Sequence, residues 1–192
     1  GTFKYLGNSA VNRLLTQSSV IGTTRTITAG AIDASSNFTD FMDITGAGAA
    51  APFAVGTSIG NCLGNSGITF TPSATQYWKT TSTGTKTWST AGNWFLGTNG
   101  TGGAGRVPLP QDDVVFDASS ISHTGVTIDA NLPRIGRDIN FTGVTNNPSV
   151  PGLAVLFGSL TLTSGLTYSV AGRWVDFYAR SPVTFTTGGA PT

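Results

Sequence analysis

Large apolar residues recur at every second position in short stretches, with small polar residues between them. Thr39-Asp40-Phe41-Met42-Asp43-Ile44-Thr45, Ile68-Thr69-Phe70-Thr71, Val126-Thr127-Ile128-Asp129, Asp138-Ile139-Asn140-Phe141-Thr142, Leu160-Thr161-Leu162-Thr163 and Val183-Thr184-Phe185-Thr186 each place two large apolar side chains on one face. A period of two belongs to a β-strand, so these segments predict short strands with one face buried. Clusters of Gly, Asn and Pro separate them at 46–52, 97–110 and 143–152, where turns need unusual dihedrals. No window supports an amphipathic helix. The nearest candidate, 8–17, carries Leu14 and Leu15 but too few partners at helical spacing for more than one or two turns.

Two strand endings echo each other, Asp43-Ile44-Thr45-Gly46 and Asp138-Ile139-Asn140-Phe141-Thr142-Gly143, each read as a strand running into a Thr-Gly turn. From Val126 onward, strands begin at intervals of roughly 11–24 residues, near the rung length of a solenoid and also near the strand spacing of a sandwich. The turns are uneven in length and two-residue hairpin signals are rare. The fold expected is therefore all-β, a parallel β-helix or solenoid-like stack, with a β-sandwich or jelly roll as the alternative.

Composition narrows the picture. Thr, Ser and Gly make up 75 of 192 residues, and no glutamate occurs, which disfavours long solvated helices. Only 10% of residues are charged, against about 25% in an average soluble protein. Ten Lys and Arg are scattered from Lys4 to Arg180 with net charge +1, so a basic footprint for nucleic acid is not expected. No stretch of about 18 apolar residues predicts a membrane span. One cysteine, Cys62, and one histidine, His123, make an internal disulfide impossible and a tetrahedral zinc site implausible. No cofactor is expected.

Candidate acid–base chemistry is confined to Asp112, Asp113, Asp117 and Asp129, with Arg134 and Arg137 nearby. Two carboxylates at set separation would suit a glycosidase, and acidic calcium ligands with a base would suit a β-helix lyase. The simpler reading is that Asp after Pro and Gln forms a turn and that outward Asp keeps strand edges soluble. His123 sits in a loop without a marked triad partner, and Cys62 reads as a small core residue. Outward Thr-x-Thr pairs (Thr69/Thr71, Thr161/Thr163, Thr184/Thr186) would suit a flat ice-binding face only with a strict repeat, which is missing; Thr is also favoured on exposed strand faces. Asn-x-Thr at Asn37, Asn99 and Asn140 would accept glycans only in a eukaryotic secretory setting.

The middle of the chain is the most specific part. Residues 72–112 hold three of the four tryptophans and a glycine-rich stretch, 97–106, that reads as an exposed loop, which divides the chain into an N-terminal strand-rich segment, 1–75, and a β-rich module, 76–192. Trp88-Ser89-Thr90-Ala91-Gly92-Asn93-Trp94 is followed, after the loop, by Val107-Pro108-Leu109-Pro110-Gln111-Asp112-Asp113-Val114-Val115-Phe116-Asp117. With the strands that continue it to about residue 187, this resembles the opening module of secreted bacterial β-helix and autotransporter-passenger repeats and of bacteriophage tail or virion proteins. The stretch 60–70 is similar to the phage versions. The resemblance implies a virion, extracellular or cell-surface β-structure and assigns no catalytic residues.

Read physically, Val114 and Phe116 point inward, while Trp88 and Trp94 have enough apolar area to cap an open end of stacked strands. The alternative is an exposed aromatic platform for sugar rings from Tyr77, Trp78, Trp88 and Trp94. Phe95 and Arg106 beside the loop would serve as apolar and cationic anchors at a subunit or receptor contact. The expected protein is a non-enzymatic structural or host-contact component of a bacteriophage particle, acting as a homo-oligomer (a trimer or higher assembly) beside other virion proteins or a host glycan. The alternatives are a bacterial adhesin or passenger fragment and a polysaccharide-degrading β-helix enzyme.

Overall fold

Strands with one apolar face must bury it against something, and here they do so by lining up with later strands running in the same direction. The computed structural model describes residues 1–169 and 175–190. The described residues contain no α-helix, only single 3₁₀ turns at Ala91–Asn93 and Thr98–Gly100, so the protein is all-β. The candidate helix at 8–17 is instead a tight turn leading into a strand at Leu14–Gln17. The chain divides into two compact units, Gly1–Pro72 and Ser73–Thr192.

Unit 1 contains β1 (Thr2–Phe3), β2 (Leu14–Gln17), β3 (Arg25–Thr28), β4 (Ala31–Ile32), β5 (Thr39–Met42), β6 (Ile44–Ala47) and β7 (Ile59–Asn61). Every strand pairing in it is parallel: β1 with β4, β2 with β5, β3 with β6, β5 with β7. The core joins Tyr5, Phe41, Ile44, Phe53 and Ile59, with the Tyr5 and Phe41 rings edge-on at 5.1 Å. The single strand expected over 39–45 is two strands joined by a corner at Asp43 (φ 56°), which moves the chain into another sheet. That corner lets Phe41 and Ile44, three residues apart, both face the core. The Asp43 carboxylate helps hold it by accepting the Gly22 N–H at 2.7 Å. Thr45-Gly46, expected as a turn, lies within β6, whereas Thr142-Gly143 is a turn; the echo between them is one of sequence only.

Unit 2 contains β8 (Thr75–Trp78), β9 (Gly84–Thr87), β10 (Trp94–Phe95), β11 (Asp113–Val115), β12 (Val126–Asp129), β13 (Ile139–Asn140), β14 (Ser149–Val150), β15 (Val155–Leu156), β16 (Leu160–Thr161), β17 (Thr167–Tyr168), β18 (Asp176–Phe177) and β19 (Phe185–Thr186). One sheet has the order β10-β8-β11-β13-β16-β19, another β17-β14-β12-β9, and β15 pairs with β18. All these pairings are parallel except β10 with β8. Register carries like side chains above like: Val114 lies opposite Ile139, and Ile139 opposite Leu160. Phe116 and Phe141 stack at 4.4 Å.

Two expectations fail in this unit. Val183 and Phe185 were expected in a core and are exposed (37% and 52%), because β19 pairs with β16 on one side and no described strand lies on its other side. The Thr-x-Thr pairs do not align: Thr161 lies opposite Thr186, which offsets 161/163 from 184/186 by two residues.

Candidate binding face on the first strands of unit 2

Period-two alternation in β8 sends Gln76 and Trp78 inward and leaves Tyr77 half-buried on the outside. Antiparallel pairing with β10 then places Trp94 opposite Trp78 and Phe95 opposite Tyr77. Both tryptophans go into the core, and both smaller rings lie half-buried on the outer face. Trp78 and Trp94 meet edge-on at 4.8 Å, Trp88 and Trp94 at 4.9 Å, and Phe116 lies 5.4 Å from Trp78. The Trp94 indole N–H donates to the Trp88 carbonyl at 2.8 Å.

These contacts overturn the exposed platform for Trp78, Trp88 and Trp94, each at most 1% exposed. An indole is the largest apolar surface a side chain offers, and at the edge of the β8 ladder burial outweighs display. The rings close that end of the sheet, with β10 covering the edge of β8. Tyr77 and Phe95 remain at the surface as a pair.

Arg106 does not offer its charge to a contact. Its guanidinium grips the fully buried Asp112 in a fork, Nε to Oδ2 at 2.9 Å and Nη2 to Oδ1 at 2.6 Å. Asp112 also accepts the backbone N–H groups of Ala74 and Leu109, both at 2.9 Å. Asp113 and Asp117 are engaged in the same structural way. Asp113 accepts a two-point hydrogen bond from Arg137, which holds that guanidinium still more firmly protonated, and Asp117 caps a turn through Ser119 and Ser120. His123 is exposed and Cys62 is buried. Among the described residues no group of three or more His, Cys, Asp or Glu could hold a metal ion, and no helix is long and apolar enough to cross a membrane.

The loop at 97–105, which reads as exposed, is held by its own chain: Ala104 bridges back to Phe95, Gly105 donates to the Trp94 carbonyl at 2.9 Å, and the Asn99 N–H donates to the Ser119 hydroxyl at 2.9 Å. Lys79 reinforces it, donating to Asn99 Oδ1 at 2.9 Å and the Ser119 carbonyl at 2.6 Å.

Beside this loop lies a feature that sequence reading missed, an open cavity of about 230 Å³ lined by Lys79, Thr80, Thr81, Ser82, Lys86, Gly92, Asn93 and Phe95. Two lysines, three hydroxyl-bearing residues, an asparagine and one aromatic residue line it, without a carboxylate. The residues come from both sides of the β8–β9 turn and from the start of β10, so no contiguous motif marks the site.

No family model, curated protein or solved structure matches the chain.

Proposed function

We propose that this chain is a non-enzymatic structural or host-contact component of a bacteriophage particle, a tail, fibre or other virion-surface protein that folds as a parallel β-solenoid and works as a homo-oligomer. The observation that carries this reading is the run β8-β11-β13-β16-β19, parallel and in register, with steps of about 20–25 residues after β11. A sandwich built from hairpins would alternate strand direction instead. The motif from Trp88 to Asp117, the low charge and the half-buried Tyr77/Phe95 pair support a surface role. Asp112, Asp113 and Asp117 are each tied into a turn or an ion pair, which favours a structural task for that segment.

The same motif and the polar cavity favour a second reading, a bacterial surface adhesin. Immunogold labelling with an antibody to this chain, on virus particles and bacterial cells from one source, separates the two. Label on particle tails or surfaces is expected; label on cell envelopes would replace the first reading with the second. Release of reducing ends or unsaturated sugars from a polysaccharide panel would overturn the non-enzymatic assignment.

A further inference from the structure

Three arginines of the chain are paired with carboxylates. Arg13 bonds Asp40, Arg106 bonds Asp112 and Arg137 bonds Asp113, each with a contact at 2.6 Å. The cavity beside Phe95 departs from this. The Lys79 ammonium donates only to the neutral oxygens of Asn99 and Ser119, and the Lys86 ammonium makes no hydrogen bond or ion pair to any described residue, its backbone alone being held in the β9–β12 ladder.

Lys86 is also out of place by pattern. It lies opposite Ile128, a fully buried side chain, so β9 holds a lysine at a position that points inward one strand later. Lysine there sacrifices packing and brings a charge to a half-buried site, a local conflict of the kind that marks function. Asn93 uses its amide nitrogen on the Thr87 carbonyl at 3.3 Å, which leaves its Oδ1 facing no donor among the described residues. Thr81 and Ser82 are exposed at the rim, and Phe95 forms an apolar wall.

We propose that this cavity binds one acidic saccharide unit, its carboxylate, sulfate or phosphate held by Lys79 and Lys86 and its ring set against Phe95. Two uncompensated cations select an anion, hydroxyl and amide groups match a ligand rich in hydroxyls, and an aromatic wall matches the C–H face of a pyranose. At about 230 Å³ the cavity is smaller than the roughly 300–1,000 Å³ of drug-sized sites, which suits a single sugar within a longer chain. The inference rests on the surface-contact reading above and names the chemistry of its ligand.

The test titrates the full chain, by calorimetry and amide chemical shifts, with a glucuronate-containing tetrasaccharide, a neutral glucose tetrasaccharide, inorganic phosphate and a short single-stranded oligonucleotide. The acidic tetrasaccharide is expected to bind and to shift residues 79–86 and 92–95. Lys86→Met, which fills the same space without the charge, is expected to weaken it about tenfold, or about 1.4 kcal/mol, and Phe95→Ser to weaken the tetrasaccharide but not phosphate. Equal binding of the neutral sugar, tighter binding of the oligonucleotide, phosphate binding as tightly as the saccharide, or no effect of Lys86→Met would overturn the proposal. Particle or envelope labelling without acidic-sugar binding would sink this inference alone; acidic-sugar binding with label on neither would sink the surface reading alone.

Discussion

At the scale of single residues, buried polar groups have fixed tasks. Asp112 has no exposure and accepts four hydrogen bonds, two from Arg106 and two from the backbone of Ala74 and Leu109. Replacing it with Ala orphans both N–H groups and frees a guanidinium that is itself a third exposed and so recovers water. Asp112→Ala is therefore expected to cost about 2–4 kcal/mol, read as a lower urea midpoint. Tyrosine makes a pH prediction. Tyr5 donates to the Val55 carbonyl at 2.9 Å, and burial raises its pKa above the usual value, as it does for Tyr168. Below about pH 10 both rings are neutral in either state; above it the unfolded chain ionises first, so stability is lost as pH rises through that range. The melting temperature is expected to fall between about pH 9.5 and 11, and the double variant Tyr5→Phe, Tyr168→Phe to flatten that fall.

At the scale of elements, close backbone approach and the aromatic end of the β8 sheet dominate. Gly67 has φ +63°, and a Cβ there would collide with the Gly46 carbonyl of the neighbouring strand. Gly46 in turn donates its N–H to Ser66 at 2.9 Å, so neither backbone can retreat without breaking the ladder. Gly67→Ala is expected to cost about 1–2 kcal/mol from the dihedral and about 1–3 kcal/mol from the collision, measured by circular dichroism in urea. In unit 2, Trp94→Ala removes the ring that touches both Trp78 and Trp88 and the hydrogen bond to the Trp88 carbonyl. A cost of about 3–5 kcal/mol is expected in the same experiment; a loss below 1 kcal/mol would show that the three rings do not close that end.

At the scale of the molecule, β19 presents an unpaired edge among the described residues together with exposed Phe185 and Val183. Few charges protect it, since only 10% of the chain is charged. Edges of this kind invite pairing with another chain. Light scattering at micromolar concentration is expected to give a mass of at least two chains, reduced by Val183→Lys with Phe185→Lys. A stable species of 19.7 kDa for the unaltered chain would contradict the oligomer.

Some of this organisation is local and therefore legible in the amino-acid order. Period two, the absence of glutamate and the wealth of Thr and Gly determine an all-β chain, and they place Phe41, Val114, Phe116, Ile128, Ile139, Phe141 and Leu160 in a core without any knowledge of partners. Strand direction is not local, because it depends on the path between strands distant in sequence; only the tertiary structure decides that β11 pairs in parallel with both β8 and β13. Neighbours likewise decide burial at the ends of a ladder. The same Val-Thr-Phe-Thr alternation that would bury a strand between two others leaves Phe185 in solvent, and three tryptophans, read first as a cap and otherwise as a platform, are enclosed because Phe116 and the paired edge of β8 offer them a large apolar contact. Lys86 carries no motif. Its position opposite Ile128 exists only once β9 and β12 are in register, and that register brings an uncompensated charge to a cavity drawn from three separate segments.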